Sequence, residues 1–241
     1  MSQSPVPGRD TAYVWIGRGA GGRPDPAGRL LRRAGAALLG RAEAEIVVEH
    51  GRDGRALVAA CVPGGSVRLP VSVSRSGPVV AVAARAAGPV GVDVERCRAL
   101  PAVALARRWY APDEADWLAG RPGDGQVADF LRLWTAKEAV GKALGVGLRG
   151  GGLRRRMPVP AGPGGSLRPV PGAARLRVGH PGVAGGLVLA VAVAAADTVP
   201  VEVVVVEADG HGGAARRSGH VAAVRSTSAD RTSLPVVVRG N

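Results

Sequence analysis

Two short segments carry residues whose types and spacing suit chemistry. In Gly91-Val92-Asp93-Val94-Glu95 the alternation reads as a strand, so Asp93 and Glu95 share one face with Cα atoms about 6.6 Å apart. Two carboxylates so placed can share a hard cation such as Mg²⁺, although an exposed edge strand with ordinary acids fits them too. The second segment, Trp134-Thr135-Ala136-Lys137-Glu138-Ala139-Val140-Gly141-Lys142, reads as helix. With Glu138 at zero, Trp134 falls near about −40°, Lys142 near +40°, Gly141 near −60° and Lys137 near −100°. Lys137 thus borders the apolar stripe of Phe130, Leu133, Val140 and Leu144. A carboxylate between two ammonium groups, with Gly141 leaving space, suits a metal-bound polyphosphate. The plain alternative is an i,i+4 pair from Glu138 to Lys142.

Composition sharpens the second segment. The 241 residues include 32 basic and 19 acidic side chains, a net charge of +13, yet Lys137 and Lys142 are the only lysines. With 37 Gly and 19 Pro, the chain reads as biased against lysine codons. Arginine serves a solvated salt bridge equally well, whereas a compact ammonium on a flexible stem is harder to replace beside a reacting phosphate. The charge favours acidic partners. A nucleic-acid surface would interleave aromatics with the basic residues, but five of the seven aromatics (Trp109, Tyr110, Trp117, Phe130, Trp134) crowd beside the lysines.

At 46% apolar residues the chain can bury a core and is not wholly disordered. Its longest apolar run, Leu187 to Ala196, falls short of the roughly 20 residues a bilayer requires. The first residues, MSQSPVPGRD, hold no apolar signal segment. Cys61 and Cys97 are too few for a disulfide framework. These features predict a cytoplasmic protein without a membrane span.

The elements that must position the two segments follow from periodicity. Strands are expected at 12–16, 46–49, 56–62, 71–73, 79–84, 89–95, 187–195 and 201–206, with a turn at Arg52-Asp53-Gly54-Arg55 and another over 74–78. Helices are expected at 30–39, 101–110, 112–119 and 127–144. The Gly-, Pro- and Arg-rich stretch 149–186 gives little signal, and residues 207–241 read as a mobile tail. Interleaved strands and helices indicate an α/β or α+β fold.

Together the two segments, some forty residues apart, resemble the paired signature of the 4′-phosphopantetheinyl transferases. Arg107-Arg108-Trp109-Tyr110-Ala111-Pro112-Asp113-Glu114 is similar to the stretch between the family's motifs, and Val71-Ser72-Val73-Ser74-Arg75-Ser76-Gly77 to its upstream strand and turn. The length resembles the Sfp type, with two pseudo-symmetric α/β halves in one chain. The resemblance implies an N-terminal half at 1–88 that grips the nucleotide of coenzyme A. A C-terminal half at 89–206 would carry the magnesium and catalytic motifs, ahead of the tail at 207–241.

It also implies that Asp93, Glu95 and Glu138 hold Mg²⁺ against the pyrophosphate, that Lys137 and Lys142 contact phosphates, and that Trp134 packs beside them. Arg75, in place of the family's histidine, would meet the 3′-phosphate of coenzyme A, helped by Ser74 and by Arg55. The stretch before Arg29 is shorter than the family's basic first helix, leaving Arg18, Arg23 or Arg29 to rebuild that grip.

The implied activity transfers the 4′-phosphopantetheine arm of coenzyme A to a serine of an apo acyl or peptidyl carrier protein, as in polyketide or nonribosomal peptide biosynthesis, with Glu138 or a Mg²⁺-bound water as base. A monomer that binds neither nucleic acid nor membrane is expected. Trp109-Tyr110 is either a carrier-facing surface or a buried helix contact. The rival readings are a coenzyme A-binding paralogue without turnover and a basic nucleic-acid-binding protein.

Overall fold

The computed structural model describes residues 10–18, 26–51, 56–62, 65–86, 88–149, 151–194, 201–208 and 223–225. The described chain begins with β1 (Asp10–Arg18), α1 (Pro26–Leu39), the hairpin strands β2 (Ile46–His50), β3 (Ala56–Val62) and β4 (Gly65–Leu69), then β5 (Val71–Ser76) and β6 (Val79–Arg85). A second series follows: β7 (Val90–Arg96), α2 (Ala102–Trp109), α3 (Pro112–Ala119), α4 (Gly123–Leu144), β8 (Arg168–Val170), β9 (Ala173–Gly179) and β10 (Leu187–Ala194). The described chain ends with β11 (Val201–Ala208) and β12 (Ala223–Arg225).

The fold is α+β and its two series repeat one plan. In each, the opening strand lies antiparallel to the closing strand, β1 with β6 and β7 with β10. The long helix, α1 or α4, packs on that pair. One sheet runs β12-β11-β1-β6-β5, another β7-β10-β9-β8, and β2-β3-β4 forms a third. β11 follows the second series in sequence but pairs parallel with β1 of the first. The short β12, within the expected tail, pairs with β11. Residues 207–208 of that expected tail close β11; its residues 209–222 and 226–241, the turn at 52–55 and Arg23 lie outside the described residues.

Three apolar clusters make four layers. Val14 and Ile16 of β1 and Ala81 and Ala83 of β6 meet Val92 and Val94 of β7 and Leu189 and Val191 of β10, closing the two main sheets face to face. α1 covers the outer side of the first sheet through Leu30, Leu31 and Ala34. α2, α3 and α4 cover the outer side of the second through Ala106, Leu118, Leu133 and Val140. β6 is covered on both faces and every residue in it is buried, which is why it reads as a continuous Val/Ala run rather than an alternation.

Two strands depart from the expected boundaries in ways that bear on the site. β5 was expected to end at Val73 and turn over 74–78; it instead continues through Ser76, with the turn at Gly77-Pro78. Ser and Arg are weak strand formers, and the extension is held by the serine hydroxyls, as described below. β8 and β9 lie within the Gly-rich stretch where periodicity was silent.

Candidate functional site

The two motifs meet because of one glycine. A Cβ on Gly91 would lie 1.9 Å from the Ala139 carbonyl oxygen and 2.7 Å from the Ala143 nitrogen, so only Gly lets the backbone of α4 rest on β7. Ala139 and Ala143 immediately follow Glu138 and Lys142. The contact therefore carries those two side chains to the face of β7 that bears Asp93 and Glu95, while Val92 and Val94 point into the core.

Asp93 is buried at 5% exposure. Its Oδ1 accepts hydrogen bonds from Lys142 Nζ at 2.7 Å and from Ser74 Oγ at 2.7 Å; its Oδ2 is buried with no hydrogen-bond partner. Burial pushes the Asp93 carboxyl up, opposed by Lys142 and by the Ser74 bond, and Glu95 pushes it further. Burial likewise raises Glu138, then the Asp93 charge does so, with Lys142 opposing and Glu95 adding. Glu95 Oε2 accepts from Ser76 Oγ at 2.9 Å and from Arg98 at 3.3 Å. Three carboxylates thus repel one another around one ammonium group. Charge so arranged and partly desolvated is typical of functional sites, though structural networks also produce it.

Lys142 also donates to the Val92 carbonyl at 3.1 Å and lines a cleft of about 680 Å³. The cleft's walls come from both series: Gly28 and Leu31 of α1, Val48 and His50 of β2, Val71, Val73 and Arg75 of β5, and the segment Gly145–Arg149 beyond α4. Arg75 is exposed and on the β5 face opposite Ser74, so it belongs to this cleft as a strand residue rather than a turn residue. Asp93 and Glu138 are not part of the cleft wall; Lys142 joins their cluster to it.

Five expectations need correction or leave the described chain. Ser74 does not join Arg75 in the cleft, because it is buried and gives its hydroxyl proton to Asp93. Lys137 does not reach the cleft. It is fully buried and donates to Glu114 Oε2 at 2.5 Å and to the Arg155 carbonyl, with the Tyr110 ring 4.7 Å away. At about −100° from Glu138 it points with the apolar stripe, and a structural ion pair satisfies it there. Burial pulls its ammonium down and Glu114 holds it up. Gly141 leaves no room for phosphate either, because a Cβ there would lie 2.1 Å from the Gly147 carbonyl oxygen. Gly145 is left-handed at φ 81°, and the amides of Val146 and Gly147 donate back to the Gly141 carbonyl; this helix cap folds Gly145–Arg149 onto the cleft. Tyr110 is 1% exposed, stacked on Phe130 at 5.0 Å and donating its hydroxyl to the Phe130 carbonyl at 3.1 Å, so it is core rather than carrier surface. Trp109 is half-buried against Trp134, at 5.7 Å. Arg55 lies outside the described residues, whereas Arg18 and Arg29 are exposed.

His50 and Arg149 are cleft residues that sequence reasoning missed as candidates. The paired glycines after Lys142 were a usable signal for Arg149, since a left-handed cap turns the chain back. Nothing in the sequence marked His50.

The extent of the recognisable signature agrees with this geometry. Residues 89–168 match the family model of the 4′-phosphopantetheinyl transferase superfamily. The matched stretch is about a third of the chain and holds β7, helices α2 to α4 and both carboxylate-bearing motifs. A search of curated proteins found no match to the chain. Among the described residues no helix is long and apolar enough to cross a membrane.

Proposed function

We propose that this protein is a phosphopantetheinyl transferase of the Sfp type, moving the 4′-phosphopantetheine arm of coenzyme A to a serine hydroxyl of an apo carrier protein. The observation that carries the reading is the seating of α4 on Gly91, which gathers Asp93, Glu95, Glu138 and Lys142 beside a cleft lined by Arg75, Lys142 and Arg149. The cleft has the volume of a small-molecule site, and its cationic lining suits the phosphates of coenzyme A.

The donor set fits a hard divalent cation. Asp93 Oδ2 is a buried carboxylate oxygen without a hydrogen-bond partner, and burial together with the Asp93 charge raises the cost of ionising Glu138, a cost that a nearby cation would offset. Among the described residues no three such side chains converge closely enough to enclose an ion by themselves. Asp93 and Glu138, with Glu95 alongside, would hold Mg²⁺ whose remaining positions go to water and phosphate oxygens. When bound, it would neutralise charge developing on the pyrophosphate.

The residues of the chain divide the remaining work. Arg75 and Arg149 orient the nucleotide end by charge-assisted bonds. Lys142 presents a point charge to the phosphate at the mouth of the carboxylate cluster. Glu138, its carboxyl raised by burial and by Asp93, accepts the proton of the carrier serine as the serine oxygen forms a bond to the pantetheine-bearing phosphorus. The bond from that phosphorus to the bridging oxygen breaks, and adenosine 3′,5′-bisphosphate leaves.

The test is incubation of the protein with Mg²⁺, coenzyme A and several apo carrier proteins. The expected result is a carrier heavier by one phosphopantetheine group and an equimolar amount of adenosine 3′,5′-bisphosphate. Coenzyme A binding without added mass on any carrier would favour the paralogue without turnover.

A further inference from the structure

We infer that Ser74 and Ser76 are positioning residues that hold Asp93 and Glu95 in the orientation a divalent cation requires. The inference rests on the cation-assisted transfer reading above, and its observation is the seam between β5 and β7. β7 pairs with β10 along one edge; along the other it meets β5 without backbone pairing. The amides of Val92, Val94 and Arg96 instead donate to the hydroxyls of Ser72, Ser74 and Ser76 at 3.1, 3.3 and 3.2 Å. Alternate serines on one strand thus cap alternate amides on the other.

A serine hydroxyl has one proton left after it accepts an amide. Ser74 gives its proton to Asp93 Oδ1 at 2.7 Å, and Ser76 gives its own to Glu95 Oε2 at 2.9 Å. Each serine therefore caps one amide and orients the carboxylate of the residue just before it. Ser72 caps Val92, whose preceding residue is Gly91 and has no carboxylate. Amide capping alone would need three equivalent serines; the orienting bonds distinguish two of them. With Oδ1 of Asp93 occupied by Ser74 and Lys142, Oδ2 is the oxygen kept for a cation. The first half of the molecule thereby sets the ligand geometry of the second.

The experiment titrates Mn²⁺ into ¹⁵N-labelled protein with coenzyme A and follows paramagnetic broadening of the amides of residues 92–96. Ser74→Ala should move the midpoint to roughly tenfold more Mn²⁺, the loss of one bond to a charged group. Ser76→Ala should move it less, because Arg98 also holds Glu95. Ser72→Ala should leave the midpoint unchanged, although Ser72→Ala and Ser74→Ala each expose one β7 amide to solvent exchange. Ser74→Thr, which keeps the hydroxyl, should restore the midpoint and its isostere Ser74→Val should not; this pair serves if the alanine variant fails to fold. Equal shifts for Ser72→Ala and Ser74→Ala, no shift for Ser74→Ala, or no broadening in the unaltered protein would each overturn the inference. Normal broadening without carrier modification would instead sink the transferase reading and leave this one standing.

Discussion

Lys137 and Lys142 are five residues apart on one helix and belong to opposite kinds of charge cluster. The Lys137 cluster is closed. Its ammonium has Glu114 and the Arg155 carbonyl, and Glu114 in turn accepts the amides of Ala111 and Met157 at 3.3 and 2.8 Å. The Lys142 cluster is open: Asp93 and Glu138 share one ammonium with Glu95 alongside, Asp93 Oδ2 has no hydrogen-bond partner, and both Asp93 and Glu138 are harder to ionise than ordinary carboxyls. A buried polar atom left without a partner costs stability. An arrangement left unsatisfied beside a cleft is held in place by the rest of the fold and has something to gain from a ligand.

The contrast breaks most sharply at Lys137. Lys137→Met strands the buried Glu114 carboxylate and should cost about 3–5 kcal/mol of folding stability, read by chemical denaturation; the Lys137→Met, Glu114→Gln double variant should recover part of that. A variant as stable as the parent would remove the structural role. Lys142→Arg should instead fold and bind coenzyme A but lose most single-turnover transfer, since the planar fork does not reproduce the point charge shared by Asp93 and Val92. A rate equal to the parent's would reduce Lys142 to general positive charge.

A smaller effect is expected at the far end of the cleft. Arg75→Ala should raise the KM for coenzyme A by the worth of one charge-assisted bond, about 1.5–3 kcal/mol, and barely alter use of 3′-dephospho-coenzyme A. Equal losses with both would show Arg75 acting on the fold. The smallest concerns pH. A carboxyl raised in the folded state costs nothing while protonated, and its cost grows as pH rises through the ordinary carboxylate range to its raised value. Without metal, Glu138→Gln should therefore gain stability over the parent as pH rises from acid to neutral. A gain that grows toward acid would reverse the sign and contradict the repulsive cluster.

The sequence made much of this legible, and the misses have physical causes. Asp93 and Glu95 follow from strand alternation and the apolar stripe of Phe130, Leu133 and Val140 from helical periodicity, because both are local geometry; Leu144, expected in that stripe, is exposed at the end of α4. The angle of Lys137 was available, but the core acid that receives it, Glu114, is 23 residues away and announced by nothing local. Gly141 illustrates the same limit: a glycine announces that something comes close, and only the fold says that it is the Gly147 carbonyl. The Ser-rich end of β5 was read as a turn because its strand character comes from hydroxyl bonds to β7, which no propensity contains. Trp109-Tyr110 fits two readings from sequence alone, and the Tyr110 ring stacked on Phe130 decides for the core.

The central claim is that the open cluster performs the transfer. It is tested most directly by Asp93→Asn, which keeps the side chain's size but removes the charge that a cation needs. Intact-mass measurement of an apo carrier after a single turnover with Mg²⁺ and coenzyme A should show a rate lower by about 10²-fold or more, in a protein that unfolds no more easily than its parent. Transfer by Asp93→Asn at the parent's rate, with the same Mg²⁺ requirement, would contradict the account.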